Sequence, residues 1–266
     1  MKNRISCLVL VLLGLYGCSK DEETGDNQGQ AVEIKVKEEF LTQVTQDPGF
    51  ITELGGMEVS FVLPKGEPKQ LALYLHGDGG THPHLGAVYR QVEYARNHNI
   101  ILVVPTANAF KTRESGEKIP SWAKVQDTEG LSVILDAFIE KYDLPADKLL
   151  VETVSGGSHY YTNEFIHRSG DTYQAAAFVV CGGYRASGGF LWDVQANSEA
   201  RDKHHIHFDY GTGDFLLKNI EESIAFYSDL GFRVTVPENL GEELHCGTDY
   251  SQGTIDFWEN YTLAKE

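Results

Sequence analysis

Short apolar runs alternate with amphipathic stretches along most of the chain, and this alternation restricts the fold more than any other feature of the sequence. Runs such as IILVVP (100–105) and AAAFVVC (175–181) are nearly continuous, as is typical of strands buried on both faces of a sheet. Stretches with apolar residues three and four positions apart lie between the runs and predict helices. This order predicts an α/β fold with a mostly parallel central sheet and helices on both faces.

The boundaries of these elements can be read from the same pattern. The other predicted strands cover 57–63, 71–75, 148–153, 205–211 and 232–237, and the predicted helices cover 85–98, 128–142, 219–231 and 254–265. Gly231 follows a helix where a left-handed cap is expected. VEIKV (32–36) and MEVSFVL (57–63) are separated by turn residues without a clear helix, which predicts an antiparallel edge between them.

The N-terminus has the features of an export signal rather than of a folded domain. Lys2 and Arg4 precede an apolar stretch that is short for a membrane span, and it ends at LYGC (15–18), which resembles a bacterial lipobox. We therefore predict a signal peptide at 1–17 and a lipid-modified Cys18, with an ordinary signal peptide or a membrane anchor as the alternatives. The acidic segment 18–31 reads as a tether, and 32–266 as one α/β domain.

The acidic segment after Cys18 resembles the export tag of surface-displayed lipoproteins of some Gram-negative bacteria. This resemblance implies a protein that is anchored to the outer membrane by lipid and exposed on the cell surface. The chain carries 22 basic and 39 acidic residues, a formal net charge of −17. Such a charge disfavours nucleic acid and anionic membrane surfaces as partners, so the lipid anchor is the only membrane contact that we predict.

Ser155 is the first candidate for a catalytic residue. It follows the run KLLVET (148–153) and begins a helix-like segment, as the nucleophile of a strand–serine–helix turn does. Such a turn needs small neighbours two residues on either side. Gly157 satisfies this requirement, whereas Thr153 stands where glycine is usual. Ser158 is the alternative nucleophile, although the bulky Tyr160 lies two residues after it.

Two further loops at predicted strand ends supply the partners that a nucleophilic serine needs. Asp214 and His245 follow later strands, although separately they read as a helix N-cap and a surface histidine. The Gly-rich turn HGDGG (76–80) allows backbone N–H groups to approach a ligand, as in an oxyanion hole, or is a flexible turn. Taken together, the chain order of Gly-rich turn, Ser, Asp and His favours nucleophilic acyl transfer.

From about residue 69 to 258 the chain resembles α/β-hydrolase esterases of the polyhydroxybutyrate depolymerase and feruloyl/acetylxylan esterase group. LALYLHGDGG (71–80), FIEKYDLPADKLLVETVSGG (138–157), YGTGDFLL (210–217) and HCGTDYSQGTIDFW (245–258) follow one another in the order of that family. The resemblance implies that Ser155 attacks an ester carbonyl and that His245, oriented by Asp214, is the general base. It also implies an oxyanion hole made by backbone N–H groups of Gly156, Gly77 and Asp78.

Two cysteines, Cys181 and Cys246, remain in the predicted domain, and an exported protein is allowed a disulfide. The pair His245-Cys246 resembles family members in which cysteines beside the serine and the histidine are bridged. Here Val154 precedes the serine, so that particular bridge cannot form, and Cys181 is the only partner for Cys246. A disulfide and two free thiols both remain open, because the sequence does not show that these cysteines meet.

Several other residues have side chains that could serve a function. HHIH (204–207) places two histidines on one strand face without a carboxylate or cysteine at ligand spacing, and HGDGG lacks the Gly-Lys-Ser/Thr of a phosphate loop, so we predict no metal and no cofactor. Glu152 in the central strand is either a hydrogen-bonded buried group or one that tunes the pocket. Trp122 and Trp192 either stack on a sugar or phenolic ring of the substrate or pack in the core.

The sequence thus predicts a surface-tethered serine esterase without a cofactor. The resemblance implies acetyl or hydroxycinnamoyl groups on extracellular polysaccharide fragments as substrates, so the expected partner is an acylated carbohydrate or a small ester. Two alternatives remain. One is a non-catalytic binding lipoprotein on the same fold, favoured by Thr153 and Glu152, and the other is a serine peptidase or lipase.

Overall fold

The computed structural model describes residues 50–78, 88–184, 198–247 and 249–263. The predicted signal peptide, Cys18, the tether, the apolar run 32–36 and Trp192 lie outside these residues. The division of the chain into these segments therefore stays a prediction. No helix within the described ranges is long and apolar enough to cross a membrane.

Ten strands are described, and eight of them form the central sheet. They are β1 (Phe50–Leu54), β2 (Met57–Val62), β3 (Gln70–Leu75), β4 (Ile100–Pro105), β5 (Phe110–Thr112), β6 (Lys118–Pro120), β7 (Leu149–Val154), β8 (Ala175–Val180), β9 (His205–Asp209) and β10 (Arg233–Thr235). The order in the central sheet is β1-β2-β4-β3-β7-β8-β9-β10, and β5 and β6 form a separate hairpin. Neighbours from β4 to β10 are parallel, whereas β1–β2 and β2–β4 are antiparallel. The predicted mostly parallel sheet is therefore confirmed.

Helices cover both faces of this sheet. They are α1 (Tyr89–Asn97), α2 (Glu129–Tyr142), α3 (Gly156–Tyr160), α4 (Ile166–Ser169), α5 (Ser198–Lys203), α6 (Leu217–Asp229) and α7 (Tyr250–Leu263). A π-helical turn, Tyr161–Phe165, joins α3 to α4. Core residues of α1 and α7 pack against one face, and those of α2, α3, α4 and α6 pack against the other.

The nearly continuous apolar runs are explained by this double coverage. In β3, Leu71, Leu73 and Leu75 belong to the core on the α2 side, whereas Ala72 and Tyr74 belong to the core on the α1 side. Side chains alternate between the faces of a strand, so a strand that is covered twice needs apolar residues at every position. Burial of such surface stabilises the fold by roughly 25 cal/mol per Å².

The antiparallel edge exists, and its described strands differ from the predicted pair. β2 pairs with β1 on one side and with β4 on the other, whereas the run 32–36 lies outside the described residues. The hairpin β1–β2 closes through Gly55 and Gly56, both with positive φ (59° and 71°). A two-residue Gly-Gly turn of this kind matches the twist of paired strands, and this signal points to residues 50–54. The expected left-handed cap at Gly231 is confirmed by its φ of 87°.

Candidate active site

Ser155 lies at the carboxyl end of β7, in a backbone conformation that few residues other than glycine adopt. Its φ is 49° and its ψ is −105°. Two hydrogen bonds hold this turn: the Ser155 N–H donates to the Val180 carbonyl (3.0 Å), and the Ser155 carbonyl accepts from the N–H of His159 (2.9 Å). A strained residue that its surroundings fix in this way is characteristic of a nucleophile elbow.

The two glycines after Ser155 lie close to the end of β3. A Cβ placed on Gly157 would lie 2.2 Å from the Leu75 carbonyl oxygen, and one on Gly156 would lie 2.1 Å from Oδ1 of Asp78. The contact at Gly157 is with backbone, so that position has no room for a larger side chain, whereas at Gly156 the Asp78 side chain would have to move. The helix α3 can therefore start directly beside the end of β3 because residue 157 is a glycine.

Thr153, which departs from the usual glycine, does not prevent the turn. Its side chain is buried, and its Oγ1 lies 3.0 Å from Oγ of Ser158. The Ser158 hydroxyl donates to the Val180 carbonyl (2.8 Å) and is also fully buried. Ser158, the alternative nucleophile, is therefore engaged in the interior and not presented to a ligand.

Ser155, His245 and Asp214 form one hydrogen-bonded chain. The Ser155 Oγ lies 2.8 Å from Nε2 of His245, and Nδ1 of His245 lies 2.9 Å and 3.0 Å from the two carboxylate oxygens of Asp214. Carboxylate oxygens accept, so Nδ1 carries a proton and Nε2 is left to accept the serine proton. This is the arrangement in which an imidazole acts as a general base on a hydroxyl group.

Asp214 is fixed by the turn that precedes α6, but the N-cap of that helix is Leu216, so the N-cap interpretation of Asp214 is wrong. Its side chain has no exposed surface, and besides His245 its Oδ1 accepts the backbone N–H of Leu216 (2.7 Å), immediately before α6. The turn therefore fixes the position of the carboxylate, and the carboxylate orients the imidazole of His245. The His245 side chain is 22% exposed, so the imidazole remains accessible from solvent.

The peptide between Gly77 and Asp78 borders the serine. A Cβ on Gly77 would lie 3.4 Å from that of Ser155, and a Cβ on Gly156 would lie 3.1 Å from the backbone nitrogen of Asp78. Gly156 is also the first residue of a helix, where N–H groups lack intrahelical acceptors. The three predicted oxyanion residues are therefore adjacent to one another and to Ser155.

His76 is a contributor to this site that the sequence analysis did not single out. Its Nδ1 donates to the Gly77 carbonyl (2.9 Å), and its Nε2 accepts from the N–H of Ala107 (3.3 Å). Burial lowers the pKa of His76, which favours the neutral ring that both bonds need. In a trans peptide the C=O and the next N–H point in opposite directions, so holding the Gly77 carbonyl also sets the direction of the Asp78 N–H.

Cys181 and Cys246 form a disulfide in the structure, with their Cα atoms 5.1 Å apart. Cys181 follows β8, the neighbour of the serine strand, and Cys246 follows His245. Both cysteines have positive φ, 42° and 53°. The bond thus ties the histidine loop to the central sheet. These two sulfurs and a nitrogen of His245 lie within 4.8 Å of one another, but the disulfide and the bonds to Ser155 and Asp214 already engage them.

The substrate-stacking prediction for Trp122 is wrong. The side chain has no exposed surface, and it packs beside Tyr160 (ring centroids 4.9 Å) and His76 (5.9 Å) in the core. A ring without exposed surface offers no face to a ligand. Trp192, the other predicted stacking residue, lies outside the described residues. His205 and His207 do share a strand face, and each ring is hydrogen-bonded to Oγ1 of Thr235 (2.9 Å).

Glu152 is a fully buried carboxyl group three residues before Ser155. The Nε2 of Gln91 donates to both of its oxygens (3.0 and 2.9 Å). Burial raises the pKa of Glu152 from 4.5 to about 8, despite these hydrogen bonds. Of the two interpretations, the hydrogen-bonded buried group describes these contacts, and a role in the pocket stays a prediction.

Comparison with solved structures shows which proteins share the fold of this chain. A Zea mays acyl-protein thioesterase 2 superposes with a TM-score of 0.56 at 18% identity, over 77% of this chain and 98% of that one. A ferulic acid esterase superposes with a TM-score of 0.55 at 16% identity, over 80% of this chain and 96% of that one. An S-formylglutathione hydrolase from Agrobacterium tumefaciens superposes with a TM-score of 0.53 at 15% identity, over 86% of this chain and 98% of that one. No protein-family model and no curated protein matches the sequence.

The chain has the α/β-hydrolase fold. Its large, mostly parallel sheet with helices on both faces fits this fold, and the superpositions extend over nearly the whole of each neighbour. Many of the neighbours are carboxylic ester hydrolases. Since fold alone does not define activity, the activity of this chain has to be argued from its own site.

Proposed function

We propose that the protein is a serine hydrolase of carboxylic esters. The observation that carries this proposal is the hydrogen-bonded chain from Ser155 through His245 to Asp214, on an elbow beside unsatisfied helix N–H groups. A buried carboxylate, a correctly oriented imidazole and a strained serine are each found without catalysis. Their combination at the carboxyl ends of parallel strands matches nucleophilic acyl transfer.

The geometry assigns each group one step. The Ser155 Oγ attacks the ester carbonyl while its proton passes to Nε2 of His245, and the Asp214 carboxylate stabilises the resulting imidazolium. The N–H groups of Gly156 and Asp78 donate to the oxygen that becomes negative. Collapse of the tetrahedral intermediate breaks the bond to the alcohol, which takes the proton from Nε2. Water then repeats the sequence on the acyl-enzyme and regenerates the serine.

As to substrate, we propose acetyl or hydroxycinnamoyl esters of extracellular polysaccharide fragments, the class implied by the resemblance to feruloyl and acetylxylan esterases. The ferulic acid esterase among the structural neighbours supports this class only through the shared fold. We also propose that Cys18 carries the lipid that anchors the protein to the outer membrane, with the domain at the cell surface. Radiolabelled palmitate should be incorporated into the wild-type chain and not into Cys18→Ala.

Hydrolysis of 4-nitrophenyl acetate and methyl ferulate by the full-length protein in mild detergent tests the proposed activity. We expect Ser155→Ala to abolish it, whereas Ser228→Ala, which removes an exposed hydroxyl in α6, should retain it. A fluorophosphonate should label the wild type and Ser228→Ala but not Ser155→Ala. A folded wild-type protein that neither hydrolyses these esters nor becomes labelled would instead support the non-catalytic binding protein.

A further inference from the structure

Two exposed apolar side chains lie close to the candidate catalytic residues, one against the imidazole of His245 and one on the residue before it. Phe215, the residue after Asp214, is 76% exposed, and Leu244, the residue before His245, is 74% exposed. The Phe215 ring lies against the imidazole, with 4.3 Å between the ring centroids. A Cβ on Gly213 would lie 3.3 Å from Cδ2 of Leu244, so the leucine lies over the loop that carries Asp214.

Shielding of the catalytic pair does not account for this exposure. The Asp214 side chain is already fully buried, yet about three quarters of each apolar side chain faces solvent. Single exposed apolar residues are common on protein surfaces, but two beside one candidate catalytic histidine mark a surface that a ligand covers.

The proton transfer that cleaves an ester determines which part of the ester lies beside Phe215 and Leu244. Nε2 of His245, 2.8 Å from the serine oxygen, must hand its proton to the departing alcohol, so the alcohol has to lie on the histidine side of the serine. The carbonyl oxygen is directed instead toward Gly156 and the Gly77–Asp78 peptide. Phe215, which contacts the imidazole, is therefore next to the leaving group, and Leu244 lies on the adjacent loop.

We propose that Phe215 and Leu244 form a platform that binds the alcohol part of the ester and selects alcohols with a flat apolar face, such as an aryl group or the C–H face of a sugar ring. This inference rests on the proposed esterase activity. Glu242 and Glu243 directly precede Leu244 and are exposed, so their negative charges disfavour an alcohol that itself carries an anionic group. The alcohol that fits the platform is neutral.

Two acetate esters that differ only in the alcohol test the platform. Ethyl acetate and 2-phenylethyl acetate share the acyl group and have alkoxide leaving groups of similar basicity, and kcat/KM reports the steps up to acylation. We expect Phe215→Ala to lower the preference for the phenylethyl ester about tenfold, the scale of one aromatic contact. Leu244→Ala should lower it less, and Phe215→Tyr, which keeps the ring, should restore it.

Val133→Ala is the matched control, since Val133 is an exposed apolar residue on α2 (38%), and it should leave the preference unchanged. Equal losses on both esters in Phe215→Ala would overturn the platform and assign the ring a structural role. An unchanged preference would overturn it as well. If the proposed esterase activity is wrong, the wild-type protein will hydrolyse neither ester and will not react with the fluorophosphonate. This outcome differs from a failure of the platform alone, in which the wild type remains active.

Discussion

Replacement of Glu152 by glutamine should stabilise the protein in alkaline solution and have little effect in acid. The carboxyl group has no exposed surface, and burial raises its pKa from 4.5 to about 8. Folding therefore takes up a proton at neutral pH. The contribution of this group to stability is complete below pH 4.5, decreases as the pH rises toward 8 and is lost above that value.

The two pKa values also give the size of the effect. At about 1.4 kcal/mol per pH unit, the difference between 4.5 and about 8 corresponds to about 5 kcal/mol of unfolding free energy. Glutamine has the same shape and no charge, so the variant does not lose stability through ionisation at this position as the pH rises. The Oε1 of Gln91 is buried and has no hydrogen-bond partner within the described part of the chain. An amide N–H at position 152 can donate to it, as a protonated carboxyl can.

Urea denaturation at pH 5, 7 and 9, without reductant, measures the difference between wild type and Glu152→Gln. We expect similar free energies of unfolding at pH 5 and a variant that is more stable by about 3–5 kcal/mol at pH 9. Glu140→Gln, an exposed position on α2, is the control and should show no such trend. A difference between Glu152→Gln and wild type that is equal at pH 5 and pH 9 would refute the reasoning.

Three further substitutions test the site. Asp214→Asn should lower kcat by about four orders of magnitude in steady-state ester hydrolysis, because the amide favours the wrong tautomer of His245. Cys246→Ser should lower the unfolding free energy by about 4 kcal/mol in urea without reductant, since the disulfide closes a separation of 65 residues. With reductant, the difference in unfolding free energy between the variant and the wild type should disappear. His76→Ala should lower kcat at least tenfold with a smaller change in KM, because the Gly77 carbonyl loses its donor and the Asp78 N–H its direction.

The order of strands and helices could be predicted because it depends on local patterns. Near-continuous apolar runs require cover on both faces, and this cover is what the cores beside Leu73 and Tyr74 provide. Since strands of such a sheet present their carboxyl ends at one edge, the sequence also indicated that Ser155, Asp214 and His245 lie near one another. The difference between the predicted and the described edge strands came from overlooking a Gly-Gly hairpin turn.

The rest of the site depends on contacts between residues far apart in the chain, which local patterns do not contain. A tryptophan that packs in the core and one that stacks on a substrate look the same in the sequence. Only the burial of Trp122 against Tyr160 identifies it as a core residue. The tolerance of Thr153 depends on a hydroxyl partner at Ser158. The disulfide depends on the path of the loop after β10, which brings Cys246 to the end of β8.

That loop, between β10 and α7, determines how firmly the geometry of the candidate active site is held. Its described residues form no helix or strand, so His245 is positioned by bonds on either side of it. On one side the Gly241 carbonyl accepts both the N–H (2.9 Å) and the hydroxyl (3.1 Å) of Thr212, and on the other the disulfide fixes Cys246. Thr212 belongs to the same turn as Asp214, so this turn places both the carboxylate and the loop that brings the imidazole to it. Perturbations there should therefore reduce activity more strongly than equal perturbations of the sheet core, where the geometry is set by many redundant contacts.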